Sequence, residues 1–497
     1  MATPKEAVMQ DPEKDASAPI HPPVAADDPF LVTFSSEGAP KNPKDLSLTV
    51  KYLLTFVLSA TGFNRILVST IMAPALEPIR NDLSMSRAEA AMSMSIYLLA
   101  TAFGPLVIGP LSEIYGRSVI LHSTNVWFLV WNLVCGFSHT KETLIASRFL
   151  GGFGASAVYA LAGGVLSDVW RATERGKSLA WYSLVPLIGA AVGPVLGGVL
   201  AERLNWRWIF YITSIVQGII TLFSFVVYRE TFAPLLLGRH AAKVRKDTGD
   251  DRYQTQEECD HSHLSVTAHL QHALTRPFRL LIFHPIVQIT AVISAFSYGL
   301  LYIMLTSFAQ LYLDLYDVSV ESSGLHYLTL ALGELVGSQV IGPVMDWHYR
   351  RQKRKLTSEE EEPSPESRIP VILSPSLLVP LGLVLYGWAA VYRLHWAVVD
   401  LGAFLASFAM QMAGMPLQAY LIDTYPDHTS SVMAANQLFR SLTAFSFPLF
   451  TPQMYADLGY GWGNTILAFL ALFIGVPAPF VLWRYGANMR RKAKSTF

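Results

Sequence analysis

Charge is scarce in this chain of 497 residues, at 15%, and its 37 Lys and Arg are balanced by 37 Asp and Glu. No bulk excess of either sign steers it toward nucleic acid or an acidic partner. There are two cysteines, Cys135 in an apolar run and Cys259 in a polar stretch, which excludes a disulfide framework. Catalytic signatures are missing too: the chain has no His-Glu-x-x-His and no Gly-x-Ser-x-Gly, and RATERGKS (171–178) lacks the first glycine and the preceding strand of a phosphate loop. His261, His263, His269 and His272 stand without carboxylates or thiols at a metal-binding spacing, so neither a metal nor a cofactor is expected. An enzyme and an ATP-driven pump are therefore both disfavoured.

What the chain has in quantity is apolar sequence: 52% of residues are hydrophobic, too many for an ordinary soluble protein of this length. Because about 20 apolar residues cross the hydrocarbon core, spans are expected at 52–75, 90–110, 118–137, 143–167, 178–200 and 207–228, and again at 281–305, 323–345, 370–391, 396–421, 431–454 and 463–485. The fold class is thus an all-α membrane protein of twelve helices. Residues 1–50 hold eight acids, four lysines and many Pro, Ala and Ser, which reads as a disordered tail without a signal peptide, leaving the first span as its own insertion signal. The expected domains are this tail, a six-helix bundle at 51–228, a hydrophilic middle loop at 229–280 with an interfacial helix near its end, a second bundle at 281–485 and a tail at 486–497.

Orientation follows from Lys and Arg. Arg171, Arg175 and Lys177, the 239–246 region, Arg350 to Lys355 and Arg490 to Lys494 all fall on one side, which is expected to be cytoplasmic along with both ends of the chain. Arg80, Arg87, Arg203 and Arg207 dilute the contrast; the loop between spans seven and eight carries acids instead, Asp314, Asp317 and Glu321.

Three patterns carry chemistry. GPLSEIYGR (109–117) is a short polar turn between two apolar runs, in which Gly109 and Gly116 allow tight backbone and Glu113 and Arg117 share a side. GPVMDWHYR (342–350), 233 residues later, is a weaker copy with Gly342, Asp346 and Arg350 but Tyr349 for the second glycine, which implies two related halves. GAAVGPVLGG (189–198) places Gly189, Gly193, Gly197 and Gly198 around Pro194 on one helix, a pattern for close packing and a working bend. Charged residues within spans are functional candidates because insertion disfavours each by about 2.5–3.5 kcal/mol. Arg65, Arg148, Glu334 and Arg440 qualify, and Glu334, deep in the eighth span, is the carboxyl placed to carry a proton, unless it is a structural partner of Arg65 or Arg440. Asn64, Asn436, Tyr298 and Tyr302 add polar or aromatic groups at mid-depth, as cavity candidates or as packing.

These residues together resemble the major facilitator superfamily over about residues 50–490. GPLSEIYGR is similar to the family's loop motif, with Glu113 for the usual aspartate and Ser118 where a basic residue often stands. Leu144, Arg148, Gly152 and Gly154 are similar to the fourth-span motif, with Gly151 for its glutamine, and GAAVGPVLGG to the fifth-span motif of antiporters. RETFAPLLLGR, TRPFRLLIFHPIVQ, YLIDTYPDHTSSVMAANQLFRS and FPLFTPQMYADLGYGWGN look like the fungal twelve-span drug:proton antiporters.

The resemblance implies two six-helix pseudo-symmetric bundles around a central cavity that opens alternately to either side. It implies a plasma-membrane exporter, active as a monomer, that exchanges protons for small, fairly apolar molecules such as drugs or self-made toxins. Uptake of a nutrient by the same fold and a non-transporting sensor are the rival expectations. Glu334, with Arg148 and Arg440, is then the proton-coupling set, and Asn64, Arg65, Tyr298, Tyr302 and Asn436 the substrate cavity. The family's loop arginine pairs with an acid ending span four, which gives Arg117 with Asp168 as a cytoplasmic latch. Asp168 precedes Pro194 by 26 residues and Asp423 precedes Pro448 by 25, so the repeat gives Arg350 with Asp423 as its second copy. Glu113 and Asp346 are each expected to face a helix N-terminus.

Overall fold

A computed structural model describes residues 30–36, 38–256, 258, 266–355, 363–425 and 429–493. Among them, eleven helical segments are long and apolar enough to cross a membrane. The first six are Leu48–Asp82, Arg87–Tyr115, Arg117–Gly136, Lys141–Val169, a fifth within the helix Ala172–Arg203, and Arg207–Val227. Pro285–Tyr316, Val320–Lys353, Pro365–Val391 and Trp396–Thr424 follow as the seventh to tenth. The last, Ser431–Arg491, is 61 residues long and is broken at Gly459, whose φ of 68° and ψ of 171° are not helical. That break falls between the two expected runs and divides the segment into an eleventh and a twelfth span, so the fold has twelve.

Without water, the backbone can satisfy its polar groups only within a helix, so each apolar run closes on itself and the caps fall where the sequence turns polar. At the start of the second span Ser86 Oγ accepts from Glu89 N at 3.2 Å while Glu89 Oε2 accepts from Ser86 N at 2.8 Å, a reciprocal cap, and Lys141 binds the same carboxylate at 2.6 Å. The seventh span starts later than expected because Pro285 opens a new helix after His284, and Val266–Phe283 forms a separate helix before it.

The halves repeat. The first span packs on the fifth, the seventh on the eleventh, and two seams join the halves, the second span with the eleventh and the fifth with the eighth. Six spans separate the members of each related pair, so the two seams are one contact used twice. Thr101 and Ser441 hydroxyls meet at 3.1 Å in the first seam. In the second, a Cβ on Gly198 would lie 2.8 Å from Val320 O and one on Gly324 2.8 Å from Pro194 O, so this approach tolerates no side chain at either position.

Part of the chain forms a compact unit of its own, the described part of Met1–Asn42 with Ala233–Leu264. It departs from the expectation of a disordered tail and a solvated loop: Val32 N donates to Gln254 O at 2.9 Å and Gln254 N to Phe30 O at 3.1 Å, Ala233–Thr248 is helical, and Arg245 holds Glu258 at 3.0 Å. Residues 1–29 of the expected tail, together with Cys259, His261 and His263, lie outside the described residues.

Candidate functional site

A cavity of about 500 Å³ lies between the halves. The first half contributes Ser69, Tyr159, Tyr182, Pro186 and Pro194; the second contributes Tyr298, Tyr302, Tyr327, Glu334, Met410, Gln411 and Arg440. The volume suits a drug-sized molecule. Tyr298 and Tyr302, four residues apart on the seventh span, meet edge to face at 5.2 Å, and the Arg440 guanidinium lies 4.3 Å over the Tyr298 ring. Glu334 on the eighth span and Arg440 on the eleventh face this space, and no ion pair joins Glu334 to any described residue.

Four expected site residues do not line the cavity. Asn64 is buried and donates to Thr213 O at 3.2 Å and Gln217 Oε1 at 3.0 Å, turned into its own bundle. Arg65 is also buried and donates to Asn125 Oδ1 at 2.6 Å, its guanidinium 3.7 Å from the Phe128 ring, so it cannot partner Glu334. Arg148 donates to three carbonyls, Ser93 O and Val68 O at 3.2 Å and Met94 O at 3.4 Å, and rests on Tyr97 at 4.5 Å. It staples the first, second and fourth spans together instead of meeting Glu334. Asn436 is buried away from the cavity wall. For Asn64, Arg65 and Arg148 the cause is that polar groups at membrane depth bond to groups on neighbouring helices, and depth alone does not reveal which face they take. Tyr159, Tyr182 and Tyr327 were not singled out from sequence; Tyr182 stands four residues before Pro186 on the fifth helix and Tyr327 seven before Glu334 on the eighth, which was the available signal, whereas Tyr159 of the fourth span carried none.

The residues expected to form the latch are in contact in the first half. Arg117 is 3.4 Å from Asp168 and 3.8 Å from Glu113, and it also donates to Ser112 Oγ at 2.5 Å. Most of GPLSEIYGR is helix, the turn being Gly116 alone at φ 99° and ψ 152°, a conformation reserved for glycine. The acid on the following helix N-terminus is not Glu113 but Glu230, whose two oxygens accept from Arg117 N at 3.0 Å and Ser118 N at 3.2 Å. The second copy departs further. Gly342 to Arg350 is helical throughout, Asp346 lies within that helix and caps nothing, and Asp423 pairs with Arg368 instead of Arg350.

The antiporter-like glycines pack one face of the fifth span on the first: added Cβ atoms on Gly189, Gly193 and Gly197 would lie 2.7 Å from Phe63 O, 2.4 Å from Thr70 Oγ1 and 1.8 Å from Ile71 O. At the far end of this span the halves are tied. Arg203 forks onto Glu321 at 2.6 and 2.7 Å, and Glu202 Oε2 accepts from Glu321 N at 2.6 Å, capping the eighth span.

The profile of the Major Facilitator Superfamily matches residues 57–448. A probable efflux pump, mfs2, of Aspergillus flavus is 50% identical over 428 residues, covering 86% of this chain and 100% of its own. The efflux pump vrtL of Penicillium aethiopicum is 36% identical, over 94% and 92% of the two chains. Among solved structures, a bacterial homologue of the human lysosomal transporter Spinster superposes with a TM-score of 0.66 at 14% identity, over 90% of this chain and 99% of that one. Twelve spans in two repeated halves, a cavity between them and relatives matched along nearly their whole length lead to one assignment: the chain is a membrane transporter, not an enzyme, and belongs to the major facilitator superfamily.

Proposed function

We propose that this transporter exports small, fairly apolar organic molecules, drugs or self-made toxins, across the plasma membrane in exchange for protons, as a monomer with both chain ends in the cytoplasm. The observation that carries the reading is that a carboxyl, Glu334, and a guanidinium, Arg440, line the same cavity with no ion pair between them. A carboxyl so placed can bind a proton when the cavity faces one side and release it when the cavity faces the other, and a substrate entering between the two charges changes the balance. The tyrosines and methionines around them present an amphipathic wall to a flat organic molecule. Export is further supported by relatives named as efflux pumps and by the antiporter-like order of glycines around Pro194 in the fifth span. The basic side of the bundle, with Arg117 and Asp168, is then cytoplasmic.

The test is transport by purified protein in vesicles with an imposed pH gradient as the sole driving force. Substrate should move against its own gradient, and Glu334→Gln should reduce this by at least about tenfold while substrate binding persists. Parent-like transport by Glu334→Gln removes the carboxyl from the coupling role.

A further inference from the structure

Away from the cavity, at the end of the second half where Glu321 ties the two halves, three spans bring together a tyrosine, a carboxylate and a histidine. Asp400, in the first turns of the tenth span, accepts from Tyr312 OH of the seventh at 2.6 Å on one oxygen. Its other oxygen lies 2.9 Å from His326 Nδ1 of the eighth. The His326 ring lies flat on Tyr312, with centroids 3.8 Å apart and planes 6° apart, and meets Trp396 edge to face at 5.4 Å. None of the three lines the cavity. A bond to a carboxylate puts the proton of a neutral imidazole on Nδ1, which leaves Nε2 to accept a second one. The side chains of His326 and Asp400 keep 14% and 12% of their exposure, so the pair is sheltered but reachable.

We propose that the Tyr312–Asp400–His326 cluster is a second proton-binding site, separate from Glu334, and that its proton holds the transporter sealed at this end. Imidazole takes its second proton close to physiological pH. On protonation the bond between the eighth and tenth spans becomes an ion pair, and the aromatic faces of Tyr312 and Trp396 receive a cation. The eighth span is thereby fastened five residues from Glu321, the residue that Arg203 and the Glu202 cap hold from the other half. Acid on this face favours the sealed state and alkali releases it. The other groups facing the site are Tyr316 of the seventh span, His395 before the tenth, Arg393 in the loop ahead of it, and Glu202 and Arg203 of the fifth span against the start of the eighth. Of these, His395 is the one other histidine, and it is separated from Asp400 by more than a turn of helix. The site does not depend on proton-driven export, since it acts on the seal and not on the substrate.

Spin labels on cysteines replacing Leu204 and Leu394, in a chain whose Cys135 and Cys259 are serine, report the distance between the halves at this end by pulsed electron resonance. Between pH 8 and pH 5.5 the fraction with the short distance should rise about threefold in the parent. Glu334→Gln should keep that response. His326→Gln still donates to Asp400 but takes no proton, and should flatten it; Asp400→Asn, which leaves the protonated ring no counter-charge, should do the same. Either variant is sufficient if the other fails to fold. A parent that does not respond, or a His326→Gln protein that responds like the parent, overturns the proposal.

Discussion

The two copies of the loop motif have the same spacing and opposite structures. In the first, Gly116 turns the chain sharply, the third span starts at once with Arg117, and that arginine reaches Asp168 while Glu230 caps its helix. In the second, Tyr349 occupies the turning position, no residue there has positive φ, and the eighth span runs on through Arg350 to Lys353. The arginine facing Asp423 is Arg368, on the short 3-10 turn that opens the ninth span. Arg368 therefore stands where Arg117 stands, at the entrance to the third span of its half. The contact to the acid ending the fourth span of each half is thus repeated in space but is made by an arginine outside the motif in the second half. The environments differ as well, with Arg117 and Asp168 side chains 8% and 16% exposed against 22% and 36% for Arg368 and Asp423.

This contrast can be broken most severely in the first half. Asp168→Arg places two cations together in a sheltered site and should abolish transport at normal surface expression; adding Arg117→Asp should restore part of it. A double variant no better than the worse single one would show that the pair does not latch the bundle. Next comes the turn. Gly116→Ala forces a side chain into glycine-only backbone and should lower stability by roughly 1–3 kcal/mol in thermal unfolding, whereas Tyr349→Gly, within a continuous helix, should lower it by no more than about 1 kcal/mol. Equal effects would mean that the two sites are alike after all. The smallest effect is in the second half. Exchanging Arg368 and Asp423 should be nearly neutral where Arg368→Ala alone loses about 0.2–1 kcal/mol, less in high salt, and Arg350→Asp should fail to rescue Asp423→Arg.

Much of the architecture was legible because the bilayer imposes it. Every expected span is present, and the boundary between the last two falls at Gly459, which composition alone could bracket though not locate. The contact of Arg117 with Asp168 was legible too, since both sit at fixed helix ends. Arg368 was not, because its role depends on how far the eighth helix overruns. Of the expected cavity residues, Tyr298 and Tyr302 line the wall, joined there by Glu334 and Arg440, whereas Arg65 and Asn64 turn inward to their own bundle. Which way a polar side chain turns is decided by partners on other helices, among them Asn125, Thr213 and Gln217, and none of these is adjacent in sequence.

Those inward-turned groups bear on how the protein is made. Asn64 of the first span and Asn132 of the third both find their partners on the sixth, Asn64 at Thr213 O and Gln217, Asn132 at Phe210 O, Thr213 and Ser214. During synthesis the sixth span enters the membrane last of its half, so until it arrives two amides stand in hydrocarbon without those acceptors. Its insertion supplies acceptors to both amide nitrogens at once. A chain arrested after five spans would lack these acceptors for Asn64 and Asn132.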